Sequence, residues 1–99
     1  MLSLSIIIPV YNEEKTILQI LKLINHKISE LNNYKFEIIV VNDCSSDQTK
    51  SILEENKNLY NKIINNDSNF GKGFSVKKGI DIAENEIIMI QDADLEYLP

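Results

Sequence analysis

Apolar residues occur along the chain in short unbroken runs, separated by longer stretches in which apolar residues recur with helical spacing. The runs lie in LSIIIPV (4–10), FEIIVVND (36–43), YNKIIN (60–65) and EIIMIQ (86–91). Unbroken runs of this length, rich in isoleucine and valine, are typical of strands that are buried on both faces of a parallel sheet. The pattern therefore predicts four strands, and the third, which is the least apolar, is the weakest of them.

The stretches between the strands predict three helices. The first has one apolar face and carries acidic residues in its first turn, where negative charge suits the helix dipole. That face is formed by Ile17, Leu21, Ile24, Ile28 and Leu31, and the acidic residues are Glu13 and Glu14. At the start of the second helix, Ser45 and Gln48 have the spacing of a capping box. The third helix is predicted from the spacing of Val76, Ile80 and Ala83.

Strands that alternate with helices at this spacing imply right-handed crossovers and a mostly parallel sheet with helices on its faces. The predicted fold class is therefore α/β, a three-layer, Rossmann-like arrangement of about four strands and three helices. The sequence contains no internal repeat or linker that would mark a domain boundary. Residues 1–99 are therefore expected to form a single domain.

Composition and charge exclude several classes of function. Fifteen acidic residues outweigh ten basic ones, all of them lysine, and the net charge of -5 argues against a surface that tracks nucleic-acid phosphates. The apolar runs are far shorter than the ~20 residues needed to span a bilayer, and the N-terminus does not resemble a signal peptide. The single Cys44 and single His26 exclude an intramolecular disulfide and a His/Cys metal site. We therefore expect a cytoplasmic protein without a nucleic-acid partner or a transmembrane segment.

Polar and acidic side chains follow three of the predicted strands, in PVYNE (9–13), ND (42–43) and DAD (92–94). In an open parallel sheet, ligands bind beyond the carboxyl ends of the strands, so these clusters are candidates for one binding site. Asp92 and Asp94 point the same way from an extended backbone and offer oxygen ligands that suit Mg2+ or Mn2+. The alternative interpretation is that this acidic pair forms a solvated turn or a helix cap.

Asp43 and the loop NFGKG (69–73) offer further groups for a nucleotide. An acid at the end of the second strand often contacts the ribose or base in nucleotide-binding α/β folds, although the same residue could cap the following helix. Gly71 permits a close backbone approach and Lys72 offers a charge to a phosphate, but the loop lacks the G-x-G-x-x-G and Walker A spacings. Lys77 and Lys78 are expected on the solvent face of the third helix.

Four segments taken together resemble a known family. The segments are SIIIPVYNEE (5–14), IIVVNDCSSDQT (38–49), NFGKGFSVKKGI (69–80) and IIMIQDADLEYLP (87–99). In this order they are similar to the N-terminal half of family 2 glycosyltransferases with the GT-A fold. The likeness covers essentially the whole chain. Its DADLEYLP ending is most similar to the branch that transfers sugars to polyprenyl phosphate and dolichol phosphate.

The resemblance implies a donor site for a nucleotide sugar. The residues that match its nucleotide-sugar-binding segments are Pro9, Tyr11, Asn12, Glu13, Asp43, Gly71, Lys72 and Asp92. Among them, Asp43 would contact the base or ribose. Asp92 and Asp94 match the DxD motif that binds Mg2+ or Mn2+, and Glu96 stands at a third metal-contacting position that is usually glutamine in this branch. The metal would stabilise the negative charge that develops on the diphosphate leaving group.

The resemblance also implies an activity and its partners. The implied reaction transfers a sugar, with inversion, from a nucleotide-diphosphate sugar to an acceptor, either a polyprenyl phosphate or a glycan. In the family, the acceptor site and the general base come from the half that follows the DxD segment, so the general base is expected beyond Pro99 and no residue of this sequence is assigned to that role. Residues 1–99 are therefore expected to be a truncated donor-binding domain that is inactive by itself. The full-length protein is expected in the cytoplasm, at the membrane surface.

Two other interpretations stay open. The isolated chain could be a non-catalytic nucleotide-binding or self-associating module, in which the exposed sheet edges of two copies form a homodimer. A receiver-type or phosphatase-type α/β domain also uses acids at strand ends. That class places its key aspartates after the first strand, where this chain has PVYNEE (9–14).

Overall fold

The computed structural model describes residues 2–93, which form four strands and three α-helices. Their order is β1 (Leu2–Val10), α1 (Ile17–Ser29), β2 (Tyr34–Asn42), α2 (Thr49–Glu55), β3 (Lys62–Asn65), α3 (Lys72–Ile82) and β4 (Ile87–Ile90), with a 3-10 helix (Lys57–Leu59) between α2 and β3. Each unbroken apolar run forms a strand, and each stretch of helical spacing forms a helix. The predicted alternation of strands and helices is confirmed.

The four strands form one parallel sheet in the order β3-β2-β1-β4. β1 lies between two neighbours, so that Ile6 pairs with Ile38 of β2 and with Met89 of β4. Because parallel strands run in the same direction, the carboxyl ends of β2, β1 and β4 lie side by side at one edge. The predicted α/β class with a parallel sheet is confirmed.

Helices cover both faces of the sheet. Ile8 of β1 belongs to an apolar cluster with Leu21 of α1 and Leu53 of α2. Ile7, the preceding residue, points to the opposite face, because side chains alternate along a strand. There it belongs to a second cluster, against which Ala83 packs at the end of α3. This is the predicted three-layer arrangement.

The buried face of α3 is formed by small residues. Its fully buried residues are Ser75 and Gly79, whereas Ile80 is 46% exposed. The reason is a close approach to the sheet: a Cβ atom on residue 79 would lie 2.6 Å from Cγ2 of Ile7. Only a small side chain fits at such a crossing, so of the three residues whose spacing marked the helix, Ile80 lies outside the buried face while Val76 and Ala83 are half-buried.

The starts of α1 and α2 differ from the prediction. α1 begins at Ile17, so Glu13 and Glu14 lie in the connection before the helix rather than in its first turn. α2 has no capping box, because the Ser45 hydroxyl donates a hydrogen bond to Oδ1 of Asn42 at 2.6 Å. The backbone N–H of Thr49, the first residue of α2, is bound instead by Oδ1 of Asp47 at 2.9 Å. No helix within residues 2–93 is long and apolar enough to cross a membrane.

A buried polar network ties the sheet to the connection between α3 and β4. Glu37 of β2 accepts hydrogen bonds from the Ser5 hydroxyl at 2.7 Å and from the Glu84 backbone N–H at 2.7 Å, and it forms an ion pair with Lys62 at 3.0 Å. Burial alone would raise the pKa of Glu37, but these hydrogen bonds and the Lys62 ammonium outweigh it and lower the pKa below its ordinary value. Glu37 is therefore ionised at neutral pH.

Candidate functional site

A cavity of about 300 Å³ lies at the carboxyl ends of β1, β2 and β4. Its walls combine three carboxylates, one ammonium group and an aromatic ring. The lining residues are Pro9, Val10, Tyr11, Glu13, Asp43, Lys72, Ser75, Asp92 and Ala93. The structure thus brings together six of the eight residues predicted to bind a nucleotide sugar, and the other two, Asn12 and Gly71, lie outside this lining.

Asp43 directly follows β2 and is 4% exposed. Its Oδ1 accepts hydrogen bonds from the side chain of Asn66 and the backbone N–H of Phe70, both at 2.9 Å, and its Oδ2 accepts one from the backbone N–H of Gly71 at 2.8 Å. Burial alone would raise the pKa of this carboxyl, but the hydrogen bonds outweigh it and hold the pKa below its ordinary value. Asp43 is therefore an anion that fixes the loop before α3, and the alternative interpretation as a cap for α2 is wrong.

Asn12 joins the loop after β1 to the loop after β2. Its φ is 51°, in the left-handed region that asparagine tolerates better than most residues. Its Oδ1 accepts hydrogen bonds from the backbone N–H groups of Ser46 at 2.7 Å and Asp47 at 3.3 Å, and its own N–H donates to the Ser45 hydroxyl at 3.0 Å. Asn12 belongs to a segment predicted to bind the nucleotide sugar, and its side-chain oxygen is bound to a neighbouring loop.

α3 begins at the cavity. Gly71 precedes its first residue with a φ of 98°, which glycine adopts without strain, and its N–H is the one bound by Asp43. Lys72 and Ser75, both in the first turn, line the cavity. The first turn of a helix presents backbone N–H groups without intrahelical acceptors and the positive end of the helix dipole. This wall of the cavity therefore favours an anion.

Lys72 and Asp92 form an ion pair within the cavity. Nζ of Lys72 lies 2.5 Å from Oδ1 of Asp92, and the two side chains are 61% and 39% exposed. The chain on both sides of Asp92 is fixed, because the Gln91 N–H donates to β1 at 2.9 Å and the carbonyl of Ala93 accepts from the Thr16 hydroxyl at 2.7 Å. The acid at the end of β4 therefore has a defined position and a cationic partner.

The other two predicted metal ligands, Asp94 and Glu96, lie outside the described residues 2–93. Within that range, no three His, Cys, Asp or Glu side chains form a cluster that could hold a metal ion. Of the predicted metal ligands, Asp92 is the one that the structure describes at the cavity.

The general base, which the family resemblance assigns to a position beyond Pro99, also falls outside the described residues. The carboxylates that the structure places at the cavity are Glu13, Asp43 and Asp92. Asp43 is held by three hydrogen-bond donors and Asp92 by an ammonium group, so neither is a free base. The position of the general base therefore stays a prediction.

Several residues of the site were missed by the sequence interpretation. Asn66 directly follows β3, and its side chain donates hydrogen bonds to Asp43 and to Oγ of Ser75, the latter at 3.1 Å. The rule that ligand-binding residues follow strand ends could have found Asn66. Ser75 gave no signal, since a serine within a helix is ordinary. Val10 and Ala93 were not predicted either, and they form apolar parts of the cavity wall beside predicted residues.

Comparisons with known proteins identify relatives over nearly all of the chain. The family model described as Glycosyl transferase family 2 matches residues 5–99. A dolichyl-phosphate beta-glucosyltransferase of Trichomonas vaginalis is 34% identical over 96 residues, which cover 91% of this chain and 29% of the relative. An undecaprenyl-phosphate 4-deoxy-4-formamido-L-arabinose transferase of Proteus mirabilis is 33% identical over 100 residues, which cover 96% of this chain and 30% of the relative. The chain thus spans about 30% of the length of these curated relatives.

Solved structures share the fold. Staphylococcus aureus TarS 1–349 in complex with UDP-GlcNAc matches with a TM-score of 0.79 and 32% identity, over 94% of this chain and 27% of that chain. The mannosyltransferase PcManGT from Pyrobaculum calidifontis, in complex with GDP-Man and Mn2+, matches with a TM-score of 0.77 and 28% identity, over 92% of this chain and 27% of that chain. The parallel sheet and its three helices therefore match part of the GT-A glycosyltransferase fold.

Proposed function

The chain belongs to glycosyl transferase family 2, and on this premise we propose that it is the donor-binding part of an inverting, metal-dependent glycosyltransferase. The proposed reaction transfers a sugar from a nucleotide-diphosphate sugar to an acceptor. Because the chain spans about 30% of the length of its curated relatives, the activity of the whole protein is part of the proposal.

The observation that carries the proposal is the convergence of three strand ends on one cavity of about 300 Å³. Open parallel sheets bind nucleotides at this position. Tyr11 offers an aromatic surface to a base, and Oδ2 of Asp43, which accepts one hydrogen bond from the backbone, has a lone pair for a base or ribose donor. Lys72 and the first turn of α3 supply positive charge and N–H groups for a diphosphate.

We assign the divalent cation, Mg2+ or Mn2+, to Asp92 together with Asp94 and Glu96. Among the described residues, Asp92 presents a carboxylate to the cavity, and carboxylate oxygens are the ligands that these hard cations prefer. The PcManGT structure, which shares the fold, contains Mn2+. When bound, the cation would act as a Lewis acid toward the diphosphate leaving group.

We also propose a polyprenyl phosphate as the acceptor, with a glycan as the alternative. The proposal is supported by two relatives, one a dolichyl-phosphate and the other an undecaprenyl-phosphate transferase. An acceptor with a polyprenyl chain is held in a membrane, so the whole protein would act from the cytoplasm at a membrane surface. Incorporation of radioactive sugar into a butanol-extractable lipid would support this acceptor, and incorporation only into a water-soluble glycan would contradict it.

Calorimetric titration with UDP and with GDP, each with and without Mn2+, tests the donor site. We expect Mn2+-dependent binding with a preference for one base. Asp92→Asn should weaken it by about tenfold or more. Asp81→Asn, the same substitution at an exposed position of α3, is the matched control and should leave the affinity unchanged. Equal effects of the two substitutions, or no binding by a chain that circular dichroism shows to be folded, would contradict the proposal.

Self-association of the isolated chain is a second candidate function, favoured by β4. Among the described strands, β4 pairs only with β1, and its Ile87, Met89 and Ile90 side chains are exposed. An open strand edge beside exposed apolar side chains is a template for pairing with another chain. We propose that two copies of the isolated chain form a homodimer by covering each other's β4.

Sedimentation velocity over a range of concentrations tests the homodimer. We expect a dimer that Met89→Lys converts to monomer, because a charge on the covered surface would have to be desolvated. Leu23→Lys introduces the same charge at an exposed leucine of α1 and should leave the dimer intact. A wild-type chain that stays monomeric at its highest soluble concentration would contradict self-association and would leave the donor-site proposal intact.

A further inference from the structure

Each of the three carboxylates that line the cavity has a different kind of partner. Asp43 accepts N–H donors from the loop before α3. Oε2 of Glu13 lies 3.2 Å from the Thr16 hydroxyl oxygen, whose proton points to the carbonyl of Ala93 at 2.7 Å. Asp92 is met by the ammonium of Lys72 at 2.5 Å. Of the ion pairs formed by the described residues, the one between Lys72 and Asp92 is the pair that lies in the cavity.

Asp92 is also the described residue that the proposed function assigns to the divalent cation. Lys72 therefore occupies a position beside a carboxylate oxygen that the cation would need. A divalent cation and an ammonium group repel each other strongly at such short distances, so both cannot contact the same oxygen at low cost. Binding of the cation at Oδ1 of Asp92 therefore requires Lys72 to move away from this oxygen.

Lys72 is the group that can move. Its side chain is 61% exposed, and its charge is carried on a flexible four-carbon stem. It is also the first residue of α3, on the wall of the cavity that favours an anion. A diphosphate bound at this wall would offer the displaced ammonium a new, charge-assisted hydrogen bond.

We propose that Lys72 exchanges partners, neutralising Asp92 in the donor-free chain and pairing with the donor diphosphate once cation and donor are bound. The inference rests on the proposed function. It gives Asp92 a cationic partner at both stages, because the ammonium pairs with Asp92 first and the divalent cation does so afterwards, when the ammonium pairs with the diphosphate. It also disfavours binding of the cation without the donor, since Lys72 would then leave Asp92 without a new partner.

The exchange predicts effects of opposite sign for Lys72→Met. Removal of the ammonium frees Asp92, so binding of Mn2+ in the absence of nucleotide should become tighter. The same substitution removes a partner of the diphosphate, so binding of the nucleoside diphosphate at saturating Mn2+ should become weaker. A lysine that only contacts phosphate would produce the second effect alone, and a purely structural lysine would weaken both.

Two titrations test the exchange. The first follows free Mn2+ by electron paramagnetic resonance in the absence of nucleotide, and we expect Lys72→Met to tighten its binding by about threefold or more. The second is calorimetry with UDP or GDP at saturating Mn2+, where we expect about tenfold weaker binding. Lys77→Met removes the same charge from an exposed position of α3 and should change neither affinity. Lys72→Arg keeps the positive charge, so both affinities should stay close to those of the wild type.

Each outcome decides the exchange. The proposed exchange is overturned if Mn2+ binding is unchanged or weaker in Lys72→Met, or if neither the wild type nor Lys72→Met binds Mn2+. It is also overturned if Lys77→Met changes the Mn2+ affinity equally. A melting curve recorded by circular dichroism confirms that each variant is folded under the titration conditions. Failure of the proposed function gives a different result, because the wild-type chain would then bind no nucleotide with Mn2+, while the nucleotide-free titration would still report on Lys72 and Asp92.

Discussion

A hydrogen bond of 2.8 Å joins the carboxylate of Asp43 to the backbone N–H of Gly71 and so links the end of β2 to the start of α3. The backbone of Lys72, the next residue, is thereby held close to the end of β2, while its side chain stays free to move. Asp43 lines the cavity as well. One side chain therefore presents a charge to the ligand site and supports the turn from which Lys72 projects.

Asp43→Asn tests the support of that turn. An amide offers one oxygen in place of two, so at least one of the donors from Asn66, Phe70 and Gly71 would face another donor. We expect the free energy of unfolding, measured by urea titration, to fall by about 1–3 kcal/mol. Asp67→Asn, an exposed position of the same loop, should change it by less than about 0.5 kcal/mol. Similar losses in both variants would show that Asp43 does not hold the loop.

Replacement of two glycines of α3 by alanine should change the stability of the fold in opposite directions. Gly79→Ala places a methyl group against Ile7 and should destabilise the fold by about 1–3 kcal/mol. Gly73 has open space where its Cβ would lie, so Gly73→Ala should stabilise the helix by up to about 1 kcal/mol. Thermal unfolding measures both. A stable Gly79→Ala variant would mean that α3 does not approach β1 as closely as described.

Glu37 should make stability depend on acid pH. Its folded-state pKa lies below the ordinary value of 4.5, so its contribution is fully present above the unfolded-state pKa and is lost as the pH falls through the folded-state pKa. Denaturant titrations from about pH 7 to about pH 3 should therefore show a shallower loss of stability below about pH 4.5 for Glu37→Gln than for the wild type.

The matched control for Glu37 is Glu55→Gln, at the exposed end of α2. This variant should keep the wild-type dependence on pH, because its side chain is not held in the buried network. Glu37→Gln should also be less stable at pH 7 by about 1–3 kcal/mol, since the Ser5 hydroxyl and the Lys62 ammonium lose a charged acceptor. If the free energy of unfolding changed with pH in the same way for the wild type and Glu37→Gln, Glu37 would not be the source of the loss of stability in acid.

Replacement of Cys44 by glycine should stabilise the fold. The φ of Cys44 is 61°, a left-handed conformation that costs a residue with a Cβ atom about 1 kcal/mol or more. We therefore expect Cys44→Gly to raise the free energy of unfolding by about 0.5–1 kcal/mol. Cys44→Ala retains the Cβ atom and should not raise it. Equal stabilisation by both substitutions would assign the effect to loss of the thiol rather than to relief of strain.

The strands were predictable because a run such as Ile6 to Ile8 is buried on both faces of the sheet. Burial on both faces requires consecutive apolar residues, which the sequence shows directly. The exact ends of the strands were not predictable, since backbone pairing of Leu2 with Tyr34 extends β1 and β2 beyond their apolar runs. The buried face of α3 was not predictable either, because the need for a small residue at position 79 depends on how closely the helix approaches β1.

The rule of strand ends selects Asp43 and Asp92 from the sequence, because it depends only on topology. It could not reveal their partners. Asp43 is bound by the backbone N–H groups of Phe70 and Gly71, and a backbone donor has no signature in the sequence. Asn12 was assigned to the ligand for a similar reason, since its bonds to the loop after β2 depend on how two connections fold together.

The position of β1 also has a consequence for how the chain reaches its folded state. Of the described strands, β1 is synthesised first and β4 last, yet Leu4 pairs with Ile87. Pairings between residues so distant in sequence form slowly, because the intervening chain must lose entropy before any contact is gained. Until then β1 presents an open edge to other chains, a state that favours aggregation. We therefore expect ribosome-bound intermediates that end before β4 to depend on chaperones for solubility.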